Sequence, residues 1–195
     1  MNVARPLFDA GARKGFPIRT FTGRQFWPLD PRVEDFDIND IAHSLSNQCR
    51  FGGAVRKFYS VAEHCVRVSW ACSKEDELCG LLHDAHEAYL LDLPRPVRKM
   101  LPEYEVWAKE IDRVLALHLG IPQEKFYTPG VVLADETLLA TEARDLMTGS
   151  VECSAEPLKS TIQPWKPSMA EAKWLALFRT LIHPEYLKML KGGSR

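Results

Sequence analysis

The chain lacks any cysteine pair at metal-ribbon spacing. Its five cysteines are Cys49, Cys65, Cys72, Cys79 and Cys153, an odd number with no Cys-x-x-Cys among them. That excludes a zinc ribbon and argues against a disulfide framework. The thiols read as small, mostly buried hydrophobes in a reducing compartment. No apolar run reaches the ~18 residues of a membrane span, and the first 20 residues hold no apolar stretch of signal-peptide length. The expected location is therefore the cytoplasm, with no membrane partner. Charge of one sign is missing too: 25 Lys and Arg stand against 26 Asp and Glu. Such a balance gives neither a sequence-independent nucleic-acid coat nor a membrane-seeking face. There is no internal repeat, no low-complexity tract and no sustained strand alternation. What is present is 195 residues, 46% of them hydrophobic, enough for one domain with a disulfide-free core.

Helical signals dominate after residue 36. The first 36 residues are rich in Pro, Gly and aromatics, with turn signals at Thr22-Gly23 and Leu29-Asp30-Pro31. They predict irregular structure with a short hairpin around Phe21 to Trp27. Asp37 or Asn39 caps a helix through Ile41, Leu45 and Gln48, which Gly52-Gly53 breaks. Ser60 and Glu63 form a capping box for a helix carrying Val61, Cys65, Val68 and Ala71. Further helices are predicted over Ser73 to Leu91, Pro102 to Leu119 and Pro129 to Met147. A last one, about 168–183, opens at Ser168-x-x-Glu171 and ends at His183-Pro184. The expected fold is an all-α bundle: a single domain over 1–195, its core at about 37–147, with the last helix packed on it. Trp27, Trp70, Trp107, Trp165 and Trp174 are read as core, and His43, His118 and His183 as structural.

The chemistry concentrates in Leu81-Leu82-His83-Asp84-Ala85-His86-Glu87. A His-Asp dipeptide alone is weak, and its bland reading is a hydrogen-bonded core pair. Inside an apolar helix, however, the pair is costly unless compensated. A divalent cation compensates it, since neutral imidazole and carboxylate suit Zn, Mn, Co, Ni or Fe. Further ligands must come from other helices. His64, after Ser60-Val61-Ala62-Glu63, fits that need. So does Asp135, after Val131-Val132-Leu133-Ala134, although an acid near a helix start is also favoured by the dipole. Two nitrogens and two oxygens would leave coordination positions open, as a catalytic metal requires.

The order His, His-Asp, Asp on helices resembles the HD-domain phosphohydrolases. Asn47-Gln48-Cys49-Arg50-Phe51, Ser60-Val61-Ala62-Glu63-His64, His83-Asp84-x-x-Glu87 and Asp92-Leu93-Pro94-x-Pro96 occur in sequence. Together they are similar to the bacterial and phage branch of HD-domain 5′-deoxynucleotidases, including phage dATP triphosphohydrolases, over roughly residues 25–150. The resemblance implies an HD-type helical bundle in which His64, His83, Asp84 and Asp135 hold one divalent transition metal, with additional Mg accompanying a triphosphate substrate. It implies that Glu87 positions or deprotonates the attacking water and that Asp92 is a second acid near the leaving group or sugar. Arg50 would bind phosphate, and Phe51 would stand where the family often has a Trp beside the sugar. The spacing between His64 and His83 is shorter than in the free-standing bacterial enzymes, so the connection between their helices must be minimal.

The implied substrate is a nucleotide: phosphate is released from dNMPs, or triphosphate from a dNTP such as dATP. Arg95, Arg98 and Lys99 follow the site helix and are read as substrate-binding cations, although they could simply face solvent. His86 is read as a non-ligand near the pocket mouth. A homo-oligomer and, for a phage-encoded chain, the host cytoplasm follow from the resemblance alone. Alternative readings are a cyclic-nucleotide or dinucleotide phosphodiesterase and a non-catalytic nucleotide-binding module. No basic stripe or motif supports a nucleic-acid partner.

Overall fold

The computed structural model describes residues 13–149 and 151–182. Its architecture is all-α, with a two-stranded ribbon at the start. Strands β1 (Ile18–Arg19) and β2 (Gln25–Phe26) pair antiparallel, Ile18 opposite Phe26. The expected hairpin is thus present, with its strands flanking the Thr22-Gly23 turn. Phe26 anchors it: the ring is fully buried and stacks on Tyr89 at 3.6 Å between centroids.

Helix α1 (Ile38–Asn47) begins where Asp37 accepts a hydrogen bond from the Asn39 N–H. Ile38, Ile41, Ala42 and Leu45, at helical spacing, form its buried stripe. The chain then turns at Arg50–Gly53, where Phe51 and Gly52 both have left-handed φ, 57° and 59°. Cys49 pairs antiparallel with Ser60 across this turn. Helix α2 (Val61–Ala71) starts at Ser60, whose hydroxyl accepts from the Glu63 N–H at 3.1 Å. Only half of the predicted capping box forms. The Glu63 carboxylate instead accepts from Arg67 at 2.7 Å and from the Trp165 N–H at 2.7 Å, tying the 160s segment to α2.

The predicted helix over 73–91 is divided. It consists of α3 (Glu77–Leu82) and α4 (Glu87–Leu90), joined by a tight turn at 83–86. Through this turn Ala85, Glu87, Ala88 and Tyr89 each donate to the carbonyl three residues back. That is 3₁₀ geometry, in which residues three apart eclipse. Gly80 lets α3 lie against α2, because a Cβ there would meet Cys72 Sγ at 2.7 Å and Ser69 Cα at 3.1 Å.

A single turn, α5 (Arg95–Arg98), follows, then α6 (Pro102–Leu119) and α7 (Pro129–Leu146). Gly120, at φ 68°, ends α6 as a left-handed cap. Thr128 caps α7 by accepting from Val131. Helix α8 (Pro167–Leu181) starts after Lys166, which occupies the N-cap position without a side-chain cap bond, and Ser168 sits within its first turn. The predicted end at His183-Pro184 lies outside the described residues. Helix α8 packs on α1, α2 and α3, and buries Trp174 and Phe178 beside Ile41, Leu45 and Leu81. Trp174 is the one fully buried tryptophan of the five; Trp70 and Trp107 are exposed. Cys65 and Cys79 are buried, and the other three cysteines are half-buried. No helix among the described residues is long and apolar enough to cross a membrane.

Candidate metal centre

Three helical segments bring four side chains together. His64 projects from the second turn of α2, His83 and Asp84 from the turn after α3, and Asp135 from the middle of α7. His64 Nε2 lies 3.3 Å from His83 Nε2, 3.5 Å from Asp84 Oδ2 and 3.2 Å from Asp135 Oδ1. His83 Nε2 lies 3.2 Å from Asp84 Oδ2 and 3.9 Å from Asp135 Oδ1. Ligands bound at about 2.1 Å stand about 3.0 Å apart on an octahedral edge and about 3.4 Å apart on a tetrahedral one. Four of the five separations, 3.2 to 3.5 Å, match those edges, and the fifth, His83 to Asp135 at 3.9 Å, is wider, so the donor set fits a divalent ion with Asp135 the loosest member. The tightest trio is His64, His83 and Asp84, and Asp135 joins it through the two histidines. Asp135 sits beyond the first turn of α7, where the helix dipole has faded, so dipole stabilisation does not explain it.

Both histidines are oriented by their other nitrogen. His83 Nδ1 lies 2.8 Å from the Gly80 carbonyl, and His64 Nδ1 lies 2.6 Å from Glu142 Oε1. Each acceptor fixes the proton on Nδ1 and turns the Nε2 lone pair inward, as metal-binding histidines require. Glu142 was not singled out in the sequence. It is fully buried on α7, two turns beyond Asp135 and on the same face, and its Oε2 also accepts from Arg50 Nε at 3.2 Å. That two-turn spacing was the available signal.

The electrostatics call for a positive charge. Burial and Arg50 oppose protonation of His64, but Glu142 and Asp135 overcome them and raise its pKa to about 9. Asp84 is held well below the usual carboxylate range: burial works against this, while His83, His64 and Arg50 produce it. Asp135 is lowered to about 2 despite burial, chiefly by its bond to His64. The proton on His64 thus occupies the role that a metal ion would take.

A hollow of about 460 Å³ opens over this cluster, lined by Arg50, Phe51, Asp84, Glu87, Asp92 and Asp135 among others. Glu87 is buried, and burial, then Asp84 and Asp92, push its pKa well up. The Phe51 N–H donates to Asp92 Oδ2 at 3.2 Å. Gln48 laces the same two segments, its Oε1 accepting from the Asp92 N–H at 3.2 Å and its Nε2 donating to the Glu87 carbonyl at 3.0 Å. Leu91, between those segments' ends, holds φ 70° and ψ 154°, a region that glycine favours. Two residues with positive φ, Phe51 in the lining and Leu91 just before Asp92, thus lie at the hollow's edge, and such strain concentrates at functional sites.

Arg95 and Arg98 also line the hollow, each engaged with an acid: Arg95 with Glu136 at 2.6 Å, Arg98 with Glu105 at 2.9 Å. Lys99 is exposed at the end of α5 and lines neither this hollow nor its neighbour. His86 is buried rather than at a mouth; its Nδ1 lies 3.2 Å from Asp112 Oδ1. His43 is stacked on Phe21 at 3.7 Å and lies 3.2 Å from Glu171, a structural position.

Fold and site together define an all-α protein with a His/Asp cluster able to hold a metal ion. No family model matches the chain. It is 45% identical over 129 residues to the uncharacterized protein YfdR of Escherichia coli, an alignment covering 66% of this chain and 71% of that protein. It is 32% identical over 114 residues to an uncharacterized protein of Rhodobacter capsulatus, covering 53% of this chain and 58% of that one. The chain belongs to the same family as YfdR.

Proposed function

We propose that this protein is a metal-dependent phosphohydrolase of the HD-domain type, acting on a 2′-deoxynucleotide. The observation that carries the reading is the convergence of His64, His83, Asp84 and Asp135 within 3.2 to 3.9 Å of one another where contacts are seen, beneath a hollow of nucleotide size. When bound, a divalent cation supplies Lewis acidity toward a phosphoryl oxygen and acidifies water.

The chain's own groups do the rest. Arg50 engages Glu142 through Nε and Asp84 through Nη1, which leaves Nη2 for a phosphate oxygen. Charge that builds on the phosphoryl group meets this fixed cation at little reorganisation cost. Glu87, beside Asp84, would be a carboxylate once a bound cation offsets the burial and the Asp84 and Asp92 charges that raise its pKa, and would take the proton of the attacking water. The water oxygen forms the new bond to phosphorus, and the bond from phosphorus to the sugar 5′ oxygen breaks. Glu87 then returns that proton to the leaving oxygen, so the sugar leaves as its hydroxyl. Asp92 holds the Phe51 backbone and presents its remaining oxygen to the sugar side. Phe51 forms a wall there, with Arg50 over its ring at 5.2 Å.

The test is product analysis by anion-exchange chromatography. Chelator-stripped protein is reloaded with Co²⁺, Mn²⁺, Mg²⁺ or Zn²⁺ and given dNMPs, dNTPs, NMPs and NTPs. The expected result is nucleoside plus phosphate from dNMPs, or nucleoside plus triphosphate from a dNTP, absent in the His83→Ala, Asp84→Ala double variant. No metal-dependent product from any of these substrates would sink the reading.

A further inference from the structure

Beside the first trio lies a second group of donors that shares one residue with it. Asp84, His86 and Glu87 each bring a ligand atom within 4.8 Å of the others. His86 is 6% exposed and Glu87 3%. The 3₁₀ turn sets this up, because Asp84 and Glu87 stand three apart and eclipse.

His86 has the wiring of a metal ligand. Its Nδ1 lies 3.2 Å from Asp112 Oδ1, and the Tyr127 hydroxyl donates to Asp112 Oδ2 at 2.6 Å. Asp112 is fully buried. A carboxylate fixed in this way takes the Nδ1 proton and leaves the lone pair on Nε2. That Nε2 has no hydrogen-bond partner among the described residues, and neither has Glu87 Oε2. Buried polar atoms rarely go unpartnered, because each costs roughly 1–3 kcal/mol. Neither atom is within hydrogen-bond reach of the other, so they do not satisfy one another. A cation satisfies both and offsets the neighbouring carboxylate charge. Asp84 can serve two ions, since its recorded contacts in the first centre all run through Oδ2, which leaves Oδ1.

We propose that Asp84, His86 and Glu87 form a second divalent-cation site, with Asp84 bridging it to the first centre. The donor set, one imidazole and two carboxylates, suits Mn, Fe, Co or Zn. Two such ions would supply positive charge to both the attacking and the leaving oxygen of the displacement. Glu87 then spends one oxygen on the cation and keeps the other for the water proton. The proposal rests on the metal reading above through the shared Asp84.

The experiment is metal stoichiometry, followed without substrate. Stripped protein is saturated with Mn²⁺, desalted and measured by elemental analysis and electron paramagnetic resonance. The expected result is two Mn per chain with a spin-coupled spectrum. His86→Gln and Glu87→Gln should each hold one Mn with an isolated-ion spectrum. One Mn per chain in the wild type, unchanged in His86→Gln, overturns the second site and leaves the first standing. No retained metal in the wild type overturns both. The wild-type spectrum decides by itself, so a variant that folds poorly does not rescue the idea.

Discussion

Glu142→Gln tests how the buried carboxylate governs the centre. Glu142 accepts from His64 Nδ1 at 2.6 Å and from Arg50 Nε at 3.2 Å. The new amide has one acceptor oxygen. If it faces His64, its N–H₂ meets the Arg50 N–H; if it flips, it meets the His64 N–H. One bond is lost either way, together with a negative charge. Losing such an outer partner weakens metal binding about 10–100-fold, or about 1.4–2.7 kcal/mol. The same charge also holds the competing proton. With a His64 pKa of about 9, roughly ninety-nine chains in a hundred carry that proton at pH 7, and displacing it costs the metal about 2.7 kcal/mol. Glu142→Gln relieves part of that competition. The two effects oppose each other at pH 7, and only the loss remains above pH 9. The affinity deficit of the variant should therefore be small at neutral pH and grow toward the full range by pH 9. Competition against a chelator of known affinity at both pH values measures it. An equal deficit at pH 7 and pH 9, or none at pH 9, would refute the assignment of Glu142 as the group that sets His64 basicity.

Other outcomes follow from the same geometry. The metal-free chain should lose stability as pH rises from 6.5 through about 9, because His64 is protonated in the fold more readily than when unfolded; thermal melts across that window, with and without Zn²⁺, should diverge. Gly80→Ala should cost about 1–3 kcal/mol by overpacking α3 against α2, and urea titration reads it; an unchanged midpoint would mean that the helices are free to part. Phe51→Gly should relieve left-handed strain of about 1 kcal/mol while opening the wall of the hollow, so the melting temperature should hold or rise as KM for a deoxynucleotide rises. Asp37→Ala should remove the α1 cap and about 1 kcal/mol, read as a lower urea midpoint with the same slope.

Local signals carried most of the helices. Asp37, Ser60, Thr128 and Gly120 sit at element ends because short polar side chains and a residue free at positive φ satisfy orphaned backbone groups. The apolar periodicity of α1 and α6 was equally readable. The division of the 73–91 segment was not. Leu78, Leu81, Leu82, Ala85 and Tyr89 keep helical spacing through the break, so hydrophobic pattern is blind to a change from i→i−4 to i→i−3 bonding. Ser168 misled for a related reason: Ser-x-x-Glu is a capping signature, yet Pro167 suits the first helical position and moved the start of α8 upstream. The tryptophans failed because size says little about which face of a helix is covered: Trp174 faces α1 and α2, while Trp70 lies on the outer side of α2 beside Trp165 and Lys173.

At the site, proximity in sequence was the dividing line. His83-Asp84 was legible as a pair because two polar groups in an apolar helix need compensation, and His64 and Asp135 were legible as its partners. Glu142 and Asp112 were not, since each orients a histidine on a different element, 26 or more positions away, and Tyr127 acts one step further out, on Asp112. Lys99 failed in the opposite way: charge near the motif suggested a phosphate contact, but the single turn of α5 leaves that side chain outside the hollow. The outer carboxylates also explain why His86 was misplaced. A histidine three residues after a ligand reads as a rim residue until Asp112 is found behind it. Asp112 stands behind His86 as Glu142 stands behind His64, but His64 Nε2 faces His83, Asp84 and Asp135 whereas His86 Nε2 faces no partner among the described residues, a difference that no local sequence pattern carries.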